Sequence, residues 1–380
     1  MMPTRGALGH AERAAIEECI EYYAQRNEDP GYQGEFEQRY TDAFVRMMNG
    51  GYADAVATGT AALFVAIRAL ALPPQSEVIV SPITDPGSVS AIVLNGLIPC
   101  VADSAPNSYN IDCQRFVERI TPSTSAVLVV HACGRAVSDI ADIVRIGHTH
   151  RIRVIEDCSQ AHGASVGNAR VGTFGDIAAF STMYRKAHMS GGSGGIVYTR
   201  DLDLHRLALA HADRGKPRWL DSFDDRDPRG FLFPALNLHT NEISCAIGEA
   251  SLKRLPETIM RRLAFVAELT GRLRDKSRMC TPYGYSPNDS PFIEPIFVNT
   301  SALTKIKFAN ALATEGIALN PHYQYLVCDW PWMKQYIDCD TPNARDVLNR
   351  SFVLYLNENY GTHEVQSIMR AIERVERKWT

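Results

Sequence analysis

The chain has 380 residues, of which 45% are hydrophobic and 22% are charged, and its formal net charge is −4. This is the composition of a globular protein, and the length is sufficient for two domains with substantial cores. The small negative charge and the lack of a Lys/Arg block argue against a nucleic-acid surface, and no apolar run reaches the ~18 residues of a membrane span. We therefore expect no nucleic-acid partner and no membrane association.

The first 18 residues contain no apolar signal core, and the nine cysteines include no CxxC pair and no zinc-like spacing. Such cysteines are typical of buried, reduced thiols in a cytosolic protein. We therefore predict a cytoplasmic protein with free cysteines.

Short apolar runs alternate with amphipathic stretches between residues 50 and 215, which is typical of βα units. The pattern predicts strands at 53–57, 77–81, 126–130 and 153–157, and helices at 61–70, 112–119 and 139–150. A mostly parallel sheet with helices on both faces follows.

The C-terminal part of the chain begins after a polar, proline-containing stretch, residues 213–236, that predicts an excursion over the surface. The next helix, 241–255, is expected to end at Pro256, where a second long helix starts. We place the domain boundary there, with a large domain at 1–255 and a small C-terminal domain at 256–380. The small domain is predicted to contain a strand at 292–298, a helix at 303–314 and a final helix from His363.

Ligands of open α/β sheets bind beyond the carboxyl ends of the strands. Gly59 and Thr60 lie where a predicted strand passes into a helix, whose free N–H groups attract a phosphate. Asp157 ends a buried strand, and Lys186 precedes a glycine-rich loop. Pyridoxal phosphate (PLP) needs both groups, because a lysine amine binds its aldehyde as a Schiff base and a carboxylate keeps its pyridine nitrogen protonated.

The sequence around these residues resembles the DegT/StrS-type sugar aminotransferases, a family of fold type I PLP enzymes. The resemblance covers roughly residues 30–375. It is carried by Glu156-Asp-Cys-Ser-Gln-Ala-His-Gly163, Val171-Gly-Thr-Phe-Gly-Asp176, Phe180-Ser181 with Lys186, Ala57-Thr-Gly-Thr-Ala-Ala-Leu63, Leu236-Asn-Leu-His-Thr-Asn-Glu-Ile243 and Asn320-Pro-His-Tyr323. It implies a three-layer αβα large domain with a mostly parallel sheet and a smaller C-terminal α/β domain.

The resemblance also implies roles for individual residues. Lys186 and Asp157 would be the catalytic pair, with Lys186 as the Schiff-base lysine and Asp157 at the pyridine nitrogen. Asn237 would reach the phosphate of the neighbouring subunit, which implies a homodimer with shared active sites. Asp85 occupies a position where the family commonly has an aromatic residue that stacks on the ring. The other implied cofactor-binding residues are Gln160 at the phenolic oxygen, and Gly59, Thr60 and Ser181 at the phosphate.

The implied activity is transfer of an amino group from glutamate or glutamine to a keto group of a nucleotide-linked sugar, with pyridoxamine phosphate (PMP) as the intermediate form of the cofactor. An aminotransferase acting on a keto-inositol is the first alternative. A related group of ketosugar dehydratases has histidine in place of the lysine, and His188 lies nearby, but Lys186 occupies the matching position. A binding protein without turnover is opposed by the intact Lys186, Asp157 and Gln160. Candidate substrate-binding residues are Arg185, His188, His322 and Tyr323, together with the basic residues Arg214, Lys216 and Arg218.

Overall fold

The computed structural model describes residues 2–336 and 339–379. The helices are α1 His10–Arg26, α2 Glu35–Met47, α3 Gly59–Ala69, α4 Pro86–Leu94, α5 Cys113–Val117, α6 Ile140–Thr149, α7 Leu202–Ala212, α8 Glu242–Lys276, α9 Ala302–Thr314, α10 Pro342–Arg350 and α11 Thr362–Glu376. The strands are β1 Tyr52–Val56, β2 Glu77–Val80, β3 Ile98–Val101, β4 Thr124–Val130, β5 Arg153–Asp157, β6 Ser165–Val166, β7 Ala169–Arg170, β8 Ile177–Ser181, β9 Gly195–Thr199, β10 Cys280–Pro282, β11 Ile293–Val298, β12 Leu319–Asn320 and β13 Ser351–Tyr355.

The large domain is built on a seven-stranded sheet in the order β1-β9-β8-β5-β4-β2-β3. Only β9 runs antiparallel to its neighbours, β1 and β8. Successive residues of β2 enter different cores, since Val78 and Val80 belong to one cluster and Ile79 to another. Both faces of the sheet are therefore covered, which explains the continuous apolar runs and confirms the predicted α/β class.

Helix α8 runs without interruption through Pro256, so the prediction that a helix ends there is wrong. The proline removes one backbone hydrogen bond, but apolar packing on either side outweighs that loss. Leu252 packs in the core with α1 and α2, whereas Leu269 packs in the core of the small domain. The domain boundary between residues 255 and 256 falls inside this helix and stays a prediction.

The small domain contains a four-stranded antiparallel sheet in the order β10-β11-β13-β12. Phe308, Phe352 and Ile372 form part of its core, which brings α9 and α11 against the sheet. The chain just before β11 is tied to the large domain, because the Phe292 N–H donates to the Cys133 carbonyl oxygen (2.9 Å). This bond brings Phe292 to the carboxyl-end side of the large sheet.

Cys328 and Cys339 form a disulfide, so the expectation that all cysteines are free thiols is wrong for this pair. The Cα atoms of the two residues lie 6.0 Å apart, a separation that a disulfide spans. The other seven cysteines are free. Among the described residues, no helix has the length and apolar character needed to cross a bilayer.

Candidate active site

A cavity of about 230 Å³ lies at the carboxyl ends of the parallel strands. Polar side chains and glycines from separate loops line it, as expected for the ligand site of an open α/β sheet. It brings together seven of the residues selected from the sequence: Gly59, Thr60, Asp85, Asp157, Gln160, Ser181 and Lys186.

Asp157 is the last residue of β5 and is 4% exposed. Its Oδ2 accepts a hydrogen bond from Ser88 Oγ (2.9 Å), and its Oδ1 accepts one from the Ser159 N–H (3.0 Å). Ser88 Oγ also contacts Thr84 Oγ1 at 2.7 Å. The carboxylate is therefore held in one orientation by two donors while keeping lone pairs available for a ligand.

The sequence reasoning missed Ser88, because α4 was not predicted. A signal was present in Asp85-Pro86, since a capping aspartate followed by proline is a common helix start. Asp85 accepts from the Gly87 N–H (2.9 Å) and is exposed, and its carboxylate lines the cavity. The position at which the family commonly has a ring-stacking aromatic residue is thus occupied in this chain by the N-cap residue of α4.

Lys186 lies in a loop between β8 and β9 that backbone hydrogen bonds close, from the Thr182 N–H to Gly194 (2.9 Å) and from the Ser190 N–H to Thr182 (2.8 Å). Burial lowers the pKa of Lys186 from 10.5 to about 8, while the charges of Asp157 and Asp85 act in the opposite direction. A larger fraction of this amine is neutral near pH 7 than for an ordinary lysine, as a nucleophile requires.

The start of α3 forms a narrow cradle beside Lys186. Thr58 caps the helix by accepting from the Ala61 N–H (2.9 Å). A Cβ atom on Gly59 would lie 2.4 Å from Ser181 Cβ, and one on Gly195 would lie 2.3 Å from the Thr58 carbonyl oxygen. Only glycine fits at these two positions, and the close approach leaves the first N–H groups of the helix facing the cavity, where an anion binds well.

Gln160 also lines the cavity. Its Oε1 accepts from the Cys133 N–H (2.7 Å), and its side chain lies close to the Tyr323 phenol. Tyr323 lines a neighbouring cavity of about 330 Å³ together with His322. His322 and Tyr323, which were predicted to bind substrate, thus line this neighbouring cavity and not the Lys186 cavity.

Three other predicted residues do not line the Lys186 cavity. His188 is fully buried, where its Nε2 contacts the Tyr40 hydroxyl (2.9 Å), and burial lowers its pKa to about 3. Arg185 is exposed, with its guanidinium 5.3 Å from the ring centre of Tyr355. Asn237 is exposed and donates to the Tyr32 hydroxyl (3.4 Å).

The basic residues predicted as candidates for substrate binding, Arg214, Lys216 and Arg218, are paired with acids. Arg214 and Arg218 bind the fully buried Asp213, whose Oδ2 also lies 3.2 Å from His239 Nε2, and Lys216 pairs with Asp225. Burial acts to raise the pKa of Asp213, but the close contact with His239 and the hydrogen bonds from the two arginines outweigh it and hold the pKa well below its ordinary value. These bases stabilise the excursion after α7.

Glu156, next to Asp157, has a structural role. Its carboxylate accepts from the N–H groups of Gly172, Phe174 and Gly175 and from His131 Nε2 (3.0 Å). His131 Nδ1 accepts from the Val137 N–H, so the neutral ring carries its proton on Nε2. These four donors satisfy the buried Glu156 carboxylate and account for the conformation of the turn 171–176. Cys158 also lies close to Glu156 and His131, but no metal is needed to explain the arrangement.

These residues fit PLP. The cavity combines a buried amine with a lowered pKa, a buried carboxylate held by two donors, and a glycine-dependent helix start that suits a phosphate. Lys186 would bind the aldehyde, Asp157 the pyridine nitrogen, and the segment at Gly59 and Thr60 the phosphate. The side chain of Ser181 would contact the phosphate, and that of Gln160 the phenolic oxygen.

Comparisons with known proteins agree with this arrangement. The model of the DegT/DnrJ/EryC1/StrS aminotransferase family matches residues 14–373. The dTDP-3-amino-3,6-dideoxy-alpha-D-galactopyranose transaminase of Aneurinibacillus thermoaerophilus is 28% identical over 340 residues, covering 87% of each chain. The L-glutamine:2-deoxy-scyllo-inosose aminotransferase of Micromonospora echinospora is 37% identical over 179 residues, covering 47% of this chain and 42% of that protein. The crystal structure of NtdA from Bacillus subtilis, with bound PMP, superposes with a TM-score of 0.85 at 20% identity over 98% of this chain and 83% of that one.

Proposed function

Since this chain belongs to the DegT/DnrJ/EryC1/StrS aminotransferase family, we propose that it transfers an amino group from glutamate or glutamine to a keto group of a nucleotide-linked sugar. The enzyme is a PLP-dependent aminotransferase. The observation that carries the proposal is the single cavity shared by Lys186, Asp157 and the start of α3. That combination matches the aldehyde, the pyridine nitrogen and the phosphate of one molecule.

Bound PLP would supply an aldehyde that accepts the amino group and a protonated ring that withdraws electrons from the neighbouring carbon. Once the amino donor has replaced it at the aldehyde, the free Lys186 Nζ would take the proton from the α-carbon of the donor and return it to the carbon that carried the aldehyde. A positioned base contributes about 10²- to 10⁴-fold to such a transfer. Asp157 keeps a proton on the pyridine nitrogen, and the Ser88 and Ser159 donors fix the direction of its carboxylate. Burial of the site excludes water that would compete for these groups.

The second half of the proposal concerns the quaternary structure. Asn237 is exposed, lies outside the Lys186 cavity and directly follows the excursion that comes after α7. Leu232 and Leu236 of the same excursion are 49% and 57% exposed, and Tyr32 beside Asn237 is 52% exposed. An apolar surface of this kind favours a partner. We infer a homodimer in which Asn237 of each subunit reaches the phosphate site of the other.

The acceptor class is supported by the transaminase relative, whose name specifies a dTDP-linked sugar and whose match covers 87% of both chains. A keto-inositol acceptor remains the second candidate, because the inosose aminotransferase has the higher identity, although over a shorter region. Asp85 lines the cavity at a position where the family commonly has a ring-stacking aromatic residue, and this departure from the family pattern keeps the second candidate open. The PMP form of the cofactor connects the two half-reactions in either case.

A dehydratase is the less favoured alternative. A dehydratase needs a histidine at the reacting carbon in place of the lysine. His188, however, is buried outside the cavity, whereas Lys186 lines the cavity. A cytoplasmic location stays a prediction from the sequence.

The proposed function is tested by incubating the PLP-loaded protein with one nucleotide-linked keto sugar or one keto-inositol, each with glutamate and with glutamine. We expect amine formation with the keto sugar, measured by mass spectrometry, and at least ~10-fold less with the keto-inositol, because a larger ligand makes more contacts in the transition state. Turnover of the keto-inositol alone would establish the second candidate. Formation of a deoxygenated keto sugar, with the donor's amino group released as ammonia instead of appearing in the sugar, would indicate a dehydratase.

A further inference from the structure

Arg5 contacts the backbone on both sides of Arg185, within the loop that carries Lys186. Its Nη1 donates to the Tyr184 carbonyl oxygen and its Nη2 to the Lys186 carbonyl oxygen, both at 2.6 Å. Its Nε donates to Glu358 Oε1 at 3.1 Å. One planar guanidinium thus holds two carbonyl groups of the lysine loop and a carboxylate of the small domain, which is the geometry for which arginine is suited.

Glu358 extends this contact to the other side of the lysine. Its Oε2 accepts from Arg262 Nη2 (3.1 Å), and Arg262 Nη1 donates to the Pro291 carbonyl oxygen (3.3 Å). The residue that follows Pro291 is Phe292, whose ring centre lies 4.5 Å from Lys186 Nζ. The chain of contacts therefore begins at the backbone of Lys186 and returns to its amine.

The three charged groups are shielded from water. The side chains of Arg5, Glu358 and Arg262 are 15%, 9% and 0% exposed. Burial acts to raise the pKa of Glu358, but the charges of Arg5 and Arg262 outweigh it and lower the pKa. An ion pair with so little exposure is strongly coupled, and removing one partner leaves the other charge uncompensated.

The segment that carries Arg5 is itself fixed to the small domain. Asn357 Nδ2 donates to the Pro3 carbonyl oxygen (3.1 Å), and Asn359 Nδ2 donates to the carbonyl oxygens of Thr4 (2.9 Å) and Arg5 (2.8 Å). Residues 3–5 therefore lie as a strap between the loop 357–359 and the lysine loop. The lysine loop has no helix or strand around Lys186 that could hold it in the same way.

We propose that Arg5 is a positioning residue for Lys186. Through Glu358 and Arg262, the hydrogen bonds that Arg5 makes to the backbone of the lysine loop are linked to the segment that carries Phe292. The proposal rests on the proposed function only in that it assigns Lys186 to the cofactor. A displacement of about 1 Å in a reacting group costs up to ~100-fold in rate, so an anchor on the lysine backbone is a direct means of maintaining activity. Arg5 touches neither substrate nor cofactor in this assignment.

The test compares the full-length Arg5→Ala, Arg5→Lys and Arg13→Ala variants with the wild type. Arg13 is exposed on α1 and serves as the control for loss of a nearby arginine. Hydrogen exchange of the segment 183–188 is measured by mass spectrometry. We expect exchange at least ~10-fold faster in Arg5→Ala, since two charge-assisted hydrogen bonds to that backbone are lost, with β4 and Arg13→Ala unchanged.

The second readout is acetylation of Lys186 as a function of pH in the chain without cofactor. In Arg5→Ala the midpoint should move toward that of an ordinary lysine, and Arg5→Lys should restore only part of the shift. In the PLP-loaded protein, kcat should fall more than ~10-fold in Arg5→Ala, with the KM for the amino donor changed less than ~3-fold, because the ground-state contacts remain.

Unchanged exchange in 183–188 together with an unchanged acetylation midpoint in Arg5→Ala would overturn the proposal. If that variant does not fold, Glu358→Gln keeps the side-chain volume and removes the charge that joins the two arginines, so the same two measurements apply. Neither readout needs a substrate or PLP. If the proposed function is wrong, Arg5→Ala should still differ from the wild type in hydrogen exchange and in the acetylation midpoint. If this inference is wrong, the two proteins should not differ in either measurement.

Discussion

The amine of Lys186 lies 4.5 Å from the ring centre of Phe292, a residue that reaches it from beyond the long helix α8. The ring attracts the ammonium form weakly, whereas burial removes the water that would solvate it. Burial is the larger effect, because the pKa of Lys186 is lowered to about 8 despite the opposing charges of Asp157 and Asp85. The small domain thus contributes to the reactivity of a lysine that belongs to the large domain.

The first prediction concerns the pH dependence of cofactor binding. A lysine amine reacts only when neutral, so the rate at which PLP binds to the cofactor-free protein should rise with pH and level off above about 8, rather than above 10.5. Below the midpoint the rate should fall about 10-fold per pH unit. Stopped-flow absorbance gives the profile. A midpoint near 10.5 would contradict the lowered pKa.

The second prediction concerns Lys186 itself. Lys186→Ala should lower turnover by at least ~10²- to 10⁴-fold, because the base that moves the proton is lost, while PMP still binds to the remaining contacts. Borohydride reduction of the PLP-loaded wild type, followed by peptide mapping, should place the cofactor on Lys186. Lys253→Ala, at an exposed position of α8, is the matched control. Full turnover in Lys186→Ala, or an unmodified Lys186 peptide in the wild type, is incompatible with the assignment.

The third prediction separates Asp157 from its orienting donor. Asp157→Asn removes the negative charge at the pyridine nitrogen and should reduce kcat by more than ~100-fold, since loss of one electrostatic stabiliser has that magnitude. Ser88→Ala removes only the 2.9 Å bond to Oδ2 and should cost about 10-fold or less. Steady-state kinetics on both variants decide the order. Equal losses would mean that orientation, rather than charge, is the contribution of Asp157.

The fourth prediction concerns stability rather than catalysis. The buried Glu156 carboxylate accepts four hydrogen bonds, from His131 and from the turn 171–176. Glu156→Gln turns one oxygen into a donor facing other donors, so the free energy of unfolding should fall by about 1–3 kcal/mol. Urea denaturation measures the change, and Glu257→Gln at an exposed site of α8 is the control. An unchanged urea midpoint would show that these hydrogen bonds make no net contribution to the free energy of unfolding.

The fifth prediction tests the shared active sites. Asn237→Asp places a negative charge where the partner's phosphate would bind and should lower activity, as Lys186→Ala does. A mixture of the two inactive variants should recover activity, because one site of each heterodimer then has an intact Lys186 and an intact Asn237. Native mass spectrometry, with a tag on one of the two variants, measures the heterodimer fraction. A mixture as inactive as its components would contradict a site built from two subunits.

Most of the central site could be predicted from the sequence, because its members lie in short local motifs. Asp157 follows a buried strand, and Gly59 and Thr60 begin a helix, so each position follows from the pattern around it. Ser88 was missed although Asp85-Pro86 signals the start of the helix that carries it. Phe292 and Arg5 could not be found from local motifs, since each acts on Lys186 from a distant part of the chain. The disulfide between Cys328 and Cys339 was missed for the same reason, because it depends on how close the two residues lie in the folded chain.

By itself, the sequence determined the alternating β and α elements, because these depend on residue type and local spacing. Through its resemblance to the family it also predicted the PLP chemistry, with Lys186 and Asp157 as the lysine and the aspartate. Only the tertiary structure decided that α8 continues through Pro256, that His188 is buried away from the cavity, and that Arg5 and Phe292 meet the Lys186 loop. The physical reason is that burial and long-range hydrogen bonds set pKa values and side-chain positions. Both depend on segments that meet only when the two parts of the chain pack together.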